Sequence, residues 1–505
     1  MKFLFYIFTL LFSSFLLFIF FASYTNAHFN EWTVAKVYPS IALWNGFDLY
    51  QTSKGPYILT VYGPGSPFFY ILSALGSSPK SVISIASVIG SISLIFISIC
   101  CFYNPQTKPV SNTSTFFGFC WLFIIFLDKT THSFFQIHHD LPIIVYFTLG
   151  SFLLLRKSNS YDLFKLSFAF LFLWMAFWTK IVALPWLILP FIIKIVISNQ
   201  PGSPLSLSWY KFLYAFLGSG CVLLLSFGLL FGFNDIFFHL FQATNSYSFR
   251  ECLSLWGGSH ELLISNDLKS KIDALFRLSI LYANEYWILL LTNCFILFHQ
   301  LRLKDNILLA WLPISYFLVL PFCLAALAKF GGVENSLALA HAPAYAALLL
   351  QAARILDTLN FSEWFKVSMA FLFTIAPALG SFRTAKAILK DPSQSPQQLA
   401  YEYLLEYPNK PVFFALAPLP NYLADGRIWD SGEALTYSTM MKPNALPVNA
   451  GINGPLEMNY IAFGHPPYSK SFFSNKFDLV TDDETPTLSG WSIYRAIPKA
   501  DLKVK

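Results

Sequence analysis

The sequence predicts an α-helical polytopic membrane protein with about eleven transmembrane helices and a C-terminal extracytoplasmic α/β domain. Two observations predict this fold class. Of the 505 residues, 55% are hydrophobic and only 12% are charged, whereas soluble domains contain roughly 25% charged residues. Apolar runs near the length that crosses a hydrocarbon core, about 20 residues, recur along the first three quarters of the chain.

Eleven segments are predicted to span the membrane, and all of them are predominantly apolar. They are residues 3–22, 82–102, 115–127, 141–155, 163–178, 181–197, 209–233, 278–298, 307–327, 337–356 and 365–379. The first segment is longer than the apolar core of a signal peptide, which is about 7 to 15 residues, so we expect an uncleaved helix.

The loops between these segments predict the orientation. Lysine and arginine near span ends are retained on the cytoplasmic side. A cytoplasmic N-terminus gives each inner loop at least one cation, such as Lys108, Arg156 or Lys194. The C-terminal region then lies outside. The net charge of +6 is modest and no basic, aromatic-rich patch occurs, so we expect no nucleic-acid partner.

Two predicted outer loops, residues 23–67 and 234–277, are too long to be simple turns. Residues 1–380 therefore form a transmembrane domain with two large outer loops. The composition changes over residues 381–505, where Pro, Asn, Asp and Ser become frequent. Residues 394–406 have helical spacing, and short β-like runs follow at 411–416, 460–463, 477–480 and 491–497.

The first outer loop offers two carboxylates that are candidate general bases. Glu31 follows the first span directly, and Asp48 lies in a Gly-Phe-Asp-Leu-Tyr segment that ends at Tyr50. A carboxylate that is partly desolvated at the membrane interface can deprotonate a hydroxyl. The alternative is that Glu31 is a solvated flanking residue. In the stretch between Glu31 and Asp48, one helical face is formed by Val34, Val37, Ile41 and Trp44. This pattern predicts a helix on the membrane surface.

A second cluster, His138, His139 and Asp140, comes just before the fourth span. Imidazole and carboxylate groups ligate divalent cations, so His139 and Asp140 are candidates for a Mg or Mn site, or the cluster binds phosphate. Adjacent histidines point in different directions on a helix, so we expect one of them to act with Asp140. Asp140 can also be simply a helix cap.

Basic and amide side chains at predicted outer span ends form a third group. Lys180 and Arg250 are cations of the kind that a reaction with a phosphate leaving group would need. Lys329 is expected to reach the membrane interface with its ammonium group. Asn335 can hydrogen-bond a substrate or cap the tenth helix. No nucleotide-binding, zinc-protease or serine-hydrolase motif occurs in the sequence.

Taken together, this layout resembles the GT-C superfamily of membrane glycosyltransferases, especially the bacterial protein O-mannosyltransferases and lipid A aminoarabinose transferases. The resemblance covers the whole chain in architecture. At residue level it rests on Glu31, the 46–50 segment, the Tyr62-Gly63-Pro64 element, the 138–142 segment, Lys180 and the 331–335 segment.

The resemblance implies a glycosyltransferase of the hexosyl or pentosyl class in a bacterial inner membrane. Such an enzyme moves a sugar from a polyprenyl-phosphate carrier to a hydroxyl of a cell-envelope glycan, lipid or protein acceptor, usually with inversion. Glu31 would be the base, with Asp48 as its rival, because many relatives have Asp at the first acidic position.

The resemblance also implies roles for the other candidates. His138, His139, Asp140, Lys180 and Arg250 would stabilise the departing lipid phosphate. Aromatic residues such as Tyr50 and Tyr62 would stack on the sugar or fix the loop. Two other functions stay open from the sequence: a transporter or lipid flippase, and a transferase relative without catalytic activity.

Overall fold

A computed structural model describes most of the chain. The described residues are 31–50, 55–58, 62–102, 112–155, 163–197, 208–243, 267–303, 307–329, 334–359, 395–439, 450–464 and 470–499, with single positions in 14–28, 249–264 and 362–369 and residue 332.

The helices of the transmembrane region follow the predicted apolar segments, except for Glu31–Trp44, Gly65–Phe69 and Phe233–Phe237. In chain order they are α1 (Glu31–Trp44), α2 (Gly65–Phe69), α3 (Pro79–Phe102), α4 (Asn112–Leu127), α5 (Asp140–Leu155), α6 (Leu163–Thr179), α7 (Leu189–Ile197), α8 (Trp209–Phe231), α9 (Phe233–Phe237), α10 (Leu268–Leu303), α11 (Ile307–Ala328) and α12 (Ala338–Thr358). Short 3₁₀ helices lie at Ile71–Leu75, His132–Phe135, Ile181–Leu187 and Glu334–Leu337, and a π-helix lies at Phe238–Ala243.

Several of these helices are long enough to cross a membrane. Within the described residues, five qualify by length and composition: Pro79–Cys101, Trp209–Phe231, Leu268–Leu303, Leu308–Ala328 and Asn335–Thr358. Three shorter apolar helical stretches accompany them at Asp140–Leu155, Leu163–Thr179 and Ile181–Val196. The chain is an integral multi-pass membrane protein. The predicted spans 3–22 and 365–379 lie largely outside the described residues, so the number of about eleven stays a prediction.

One predicted span is not a continuous helix. Residues 181–197 form the 3₁₀ helix Ile181–Leu187, with Pro185 inside it, and then α7. Proline lacks a backbone N–H and clashes with the preceding turn, so Pro185 prevents regular α-helix here.

Helix α1 differs from the predicted surface helix. Of the predicted apolar face, Val34, Val37 and Ile41 are buried inside the protein and Trp44 is exposed, while the polar residues Lys36 and Ser40 are buried too. A helix on the membrane surface would expose its polar face to water. Instead α1 is covered on nearly all sides, and its partners include residues of the C-terminal region.

The C-terminal region contains the predicted sheet. Its strands are β1 (Val412–Phe414), β2 (Tyr460–Phe463), β3 (Phe477–Val480) and β4 (Ser492–Pro498), in the order β1-β2-β4-β3. Strands β1 and β2 are parallel, while β4 pairs antiparallel with β2 and β3. The helices around it are α13 (Pro396–Glu406), α14 (Leu419–Asp425), α15 (Gly432–Thr439), α16 (Asn453–Met458) and α17 (Lys470–Ser474).

This sheet buries apolar side chains on both faces, but the region does not stand apart from the helices. Leu416, Leu419 and Ile428 belong to the same buried cluster as the transmembrane helices. Removing this apolar surface from water holds the two parts together. The domain boundary predicted at residue 380 lies outside the described residues and stays a prediction.

Candidate active site

Asp140 lies at the centre of a buried charged cluster. It is the first residue of α5 and is fully buried. Its Oδ1 lies 3.0 Å from Nζ of Lys180, which directly follows α6. Burial alone would lower the pKa of the Lys180 ammonium, but the Asp140 carboxylate raises it above its usual value. The two groups therefore stay ionised together, as a buried ion pair must.

His138 completes the partners of this carboxylate. Its Nδ1 lies 3.0 Å from Asp140 Oδ2, and Ser133 Oγ donates to the same oxygen at 3.3 Å. On its other side, Nε2 lies 3.2 Å from the Asn335 amide nitrogen. A proton on Nδ1 and a free lone pair on Nε2 satisfy both of these contacts, an assignment made from the hydrogen-bond network. Four predicted site residues therefore meet here.

His139 faces away from Asp140 and forms an aromatic pair with Tyr62. The two rings stack with centroids 3.9 Å apart. His139 is fully buried, and neither ring nitrogen has a hydrogen-bond partner among the described residues. Burial, and next the positive charge of Lys36, keep the pKa of His139 well below its usual value. The ring is therefore neutral, with one donor and one acceptor left for a ligand.

Two ammonium groups lie near the Tyr62 ring of this aromatic pair. Lys36 Nζ lies 4.8 Å from the Tyr62 ring centroid, and Lys180 Nζ lies 5.9 Å from it. Both distances fall within cation–π range. Two cations around a neutral imidazole with unfilled hydrogen-bonding capacity form a site suited to an anion.

Tyr62 is held in place by hydrogen bonds to its segment and by close contact of Gly63 with the end of α6. The Tyr50 hydroxyl donates to the Tyr62 carbonyl at 2.7 Å, and the Gly63 N–H donates to the Thr179 carbonyl at 3.0 Å. Gly63 has no space for a side chain, because a Cβ would lie 1.7 Å from the Trp178 carbonyl oxygen. The glycine thus lets this loop lie against the end of α6, beside Lys180.

Two further cations, Arg250 and Lys329, lie at the end of α11. Arg250 is buried, and its Nε donates to the Leu327 carbonyl at 3.2 Å, which fixes it to the end of α11. Lys329, which directly follows α11, is partly buried. Burial, and then the positive charges of Lys180 and Lys271, lower the pKa of Lys329 to about 8.

Of the two candidate bases, the structure describes the side chain of Asp48 but only the backbone of Glu31. Glu31 begins α1, but its side chain lies outside the part of the structure that is described. Asp48 is partly buried and accepts the Tyr50 N–H at 3.0 Å. Burial, together with the nearby Asp235 carboxylate, raises the pKa of Asp48. Through Tyr50, whose hydroxyl bonds to Tyr62, Asp48 is connected to the aromatic pair, but no described contact joins it to Asp140.

A metal site is not supported by the donor geometry. Both Asp140 oxygens already contact Lys180, His138 or Ser133. Across the described ranges, no group of three or more His, Cys, Asp or Glu side chains converges. The predicted cation at His139 and Asp140 stays an untested prediction, and no step below uses one.

Comparison with solved structures identifies the fold. The aminoarabinose transferase ArnT from Cupriavidus metallidurans, bound to undecaprenyl phosphate, aligns with a TM-score of 0.52 and 12% identity over 96% of this chain and 97% of that chain. The chain has the GT-C fold. The archaeal oligosaccharyltransferase AglB from Archaeoglobus fulgidus, with an inhibitory peptide and a dolichol phosphate, aligns at TM-score 0.44 and 11% identity, over 97% and 76%. No family model matches the sequence, and no curated protein does.

Within this GT-C fold, sequence reasoning missed Lys36 and Trp32 of α1. The Lys36 ammonium lies 4.2 Å from the Trp32 ring centroid. The signal was present in the sequence, because Lys36 interrupts an apolar segment between Val34 and Val37. A lysine at such a position is buried only when it has a partner.

Sequence reasoning also missed a second polar network, which we call the tyrosine network: Asp128, His341, Tyr282, Tyr316 and Tyr345. His341 Nδ1 lies 3.1 Å from Asp128 Oδ2, and its Nε2 lies 3.0 Å from the Tyr282 hydroxyl. Tyr345 also donates to Asp128, and the Tyr282 and Tyr316 hydroxyls are 2.9 Å apart. This network ties the start of the 128–140 loop, which carries His138 to Asp140, to helices α10, α11 and α12.

Replacing His341 with alanine is expected to destabilise the protein. The buried Tyr282 hydroxyl keeps Tyr316 but loses its imidazole partner, and Asp128 loses one of its donors; each lost hydrogen bond contributes about 0.5–1.5 kcal/mol. Thermal unfolding in detergent should show a lower melting temperature for His341→Ala. The partly exposed His299 is the matched control, and His299→Ala should unfold like the wild type. Equal melting temperatures for all three proteins would contradict a structural role for the network.

Proposed function

We propose that this protein transfers a sugar from a polyprenyl-phosphate donor to an acceptor hydroxyl, with inversion at the anomeric carbon. The observation that carries the proposal is the anion site at His139, a neutral imidazole whose nitrogens have no hydrogen-bond partner among the described residues and which stacks on Tyr62, the ring that the Lys36 and Lys180 ammonium groups approach. The GT-C fold supports it as well, since the similar ArnT structure is described as bound to undecaprenyl phosphate.

The first part of the reaction is activation of the acceptor. A carboxylate, either Glu31 or Asp48, takes the proton of the acceptor hydroxyl, and the oxygen attacks the anomeric carbon from the side opposite the phosphate. The raised pKa of Asp48 makes its ionised form a stronger base. Such a base matches the task better than a fully solvated carboxylate.

The second part is departure of the lipid phosphate. The bond between the anomeric carbon and the phosphate oxygen breaks, and the phosphate keeps the electron pair. Lys180 and the His139 N–H stabilise the charge that develops on that oxygen, while Lys36 binds the phosphate of the donor. Asp140 and His138 hold Lys180 in position through the ion pair described above. Lys329 and Arg250 add positive potential around the site.

A lipid-linked donor fits the absence of a nucleotide-binding motif from the sequence. It also fits a site at helix ends, where a prenyl chain can lie between apolar helices. We place the protein in a bacterial inner membrane, with a cytoplasmic N-terminus and the C-terminal region outside. A transporter would not require the cluster of His138, Asp140 and Lys180.

The direct test is a transfer assay with the purified protein in lipid nanodiscs. Radiolabelled hexoses and pentoses on undecaprenyl phosphate are offered with sugar, lipid and peptide acceptors that carry hydroxyl groups. Release of undecaprenyl phosphate coupled to a labelled product would support the proposal, and NMR of the product gives the anomeric configuration. Movement of the intact donor between leaflets without bond cleavage would instead identify a flippase.

Donor binding should weaken as the pH rises from 7 to 9. Lys329 is protonated below its pKa of about 8, and loss of its charge removes attraction for a phosphate that stays ionised across this range. Lys180 keeps its proton, because its pKa is raised. We expect the Kd for undecaprenyl phosphate to rise about three- to tenfold, equivalent to about 0.7–1.4 kcal/mol. In Lys329→Met the dependence should flatten, and an unchanged pH profile in that variant would exclude Lys329 as its source.

A further inference from the structure

Lys36 has a partner from the other end of the chain. Its ammonium forms an ion pair with Oε1 of Glu433, in the first turn of α15 in the C-terminal region. The Lys36 side chain is 0% exposed and that of Glu433 is 5% exposed. A cation of the candidate active site is thus paired with a carboxylate that the transmembrane helices do not provide.

The segment before Glu433 is fixed to the same part of the transmembrane region. The Tyr38 hydroxyl donates to the Trp429 carbonyl at 2.9 Å and accepts the Trp429 N–H at 2.8 Å. Asp430 Oδ1 accepts the Tyr57 N–H at 2.8 Å, and the Ser431 N–H donates to the Tyr57 carbonyl at 2.7 Å. These four bonds leave the Glu433 carboxylate little freedom to move away from α1.

A buried ion pair of this kind adds little stability compared with apolar side chains in the same space. Its better-attested use is to specify one arrangement of charged groups. Here the arrangement places the Lys36 ammonium over the Tyr62 ring, which stacks on His139. The ion pair therefore sets the position of the Lys36 ammonium inside the site, in addition to joining the two regions.

We infer that Glu433 is a positioning residue, which directs the Lys36 ammonium at the anion site, so that the C-terminal region supplies part of the donor-phosphate site. The inference rests on the proposed function, since the anion is the phosphate of the donor. It assigns the C-terminal region a role in binding the donor, in addition to any contact with the acceptor.

The test is a double-mutant cycle on Glu433→Gln and Lys36→Met in nanodiscs. The Kd for undecaprenyl phosphate is measured by intrinsic fluorescence, and KM and kcat are measured with the lipid-linked sugar. We expect each single variant to raise Kd and KM about tenfold with a smaller change in kcat, and the double variant to be no weaker than either single one. Removing a nearby negative charge would by itself tighten binding of an anion, so weakening is specific to positioning.

Glu457→Gln is the matched control, since Glu457 pairs with Arg427 at the exposed surface of the same region. It should bind like the wild type, and melting temperatures show whether each variant is folded. Tighter or unchanged binding by Glu433→Gln, or additive losses in the double variant, would overturn the inference while the proposed function stands. Failure of the wild type both to bind undecaprenyl phosphate and to transfer sugar would overturn both.

Discussion

Replacement of Lys180 by methionine is expected to lower kcat/KM for sugar transfer about 100- to 1,000-fold, the usual loss when one preorganised group that stabilises developing charge is removed. Lys180 is the cation that contacts both parts of the site, with Asp140 at 3.0 Å and the Tyr62 ring at 5.9 Å. Methionine keeps much of the length of the side chain but removes the charge that the departing phosphate needs.

The Lys180→Met variant also leaves the Asp140 carboxylate buried without its main partner, which can cost about 3–5 kcal/mol of stability. The double variant Lys180→Met/Asp140→Asn avoids that unpaired charge and separates catalysis from folding. Lys165→Met is the matched control, because Lys165 is exposed in the first turn of the same helix, α6. If the folded double variant keeps more than a tenth of the wild-type kcat/KM, Lys180 does not stabilise the leaving group.

Replacement of Gly63 by alanine is expected to reduce transfer about 100-fold, because a displacement near 1 Å of a positioned group can cost that much. The new Cβ would lie 1.7 Å from the Trp178 carbonyl oxygen and 2.6 Å from its carbon. Helix backbone cannot yield as a side chain would, so the loop must move and carry Tyr62 away from His139 and Lys180.

The control for this variant is Gly218→Ala. Gly218 lies within α8, and a Cβ there meets no atom within 4 Å. Alanine is favoured over glycine inside a helix, so activity and melting temperature should be kept. We expect Gly63→Ala to lose activity out of proportion to its loss of stability. Activity near the wild-type level would show that the close contact with Trp178 does not position Tyr62.

Much of the fold was predictable because its signals are local in the sequence. The apolar segments gave helices such as α3, α8 and α11, and the short β-like runs gave strands close to their predicted bounds. The segment 181–197 is an apolar helical stretch, but its continuous hydropathy does not show that the helix type changes after Pro185. Hydropathy measures partition into lipid, and it does not report whether the backbone can continue an α-helix.

The candidate site was predictable only in part. His138, Asp140, Lys180 and Asn335 were chosen as rare polar residues at span ends, and the structure brings them together. Lys36 and Glu433 lie 397 residues apart, and no local pattern relates two such positions. The tyrosine network was missed for the same reason, since its members come from three helices and a loop.

By itself, therefore, the sequence determined two things. It showed that this chain is embedded in a membrane, and it showed which polar residues would be unfavourable to bury without a partner. Composition and apolar length decide the first point. The second follows because burying a polar group without a partner is unfavourable in any fold. Only the tertiary structure decided which partners those residues have. Contacts such as Lys36 with Glu433 and Gly63 with Trp178 depend on how distant segments pack, and packing distances of a few ångströms are set by the whole fold.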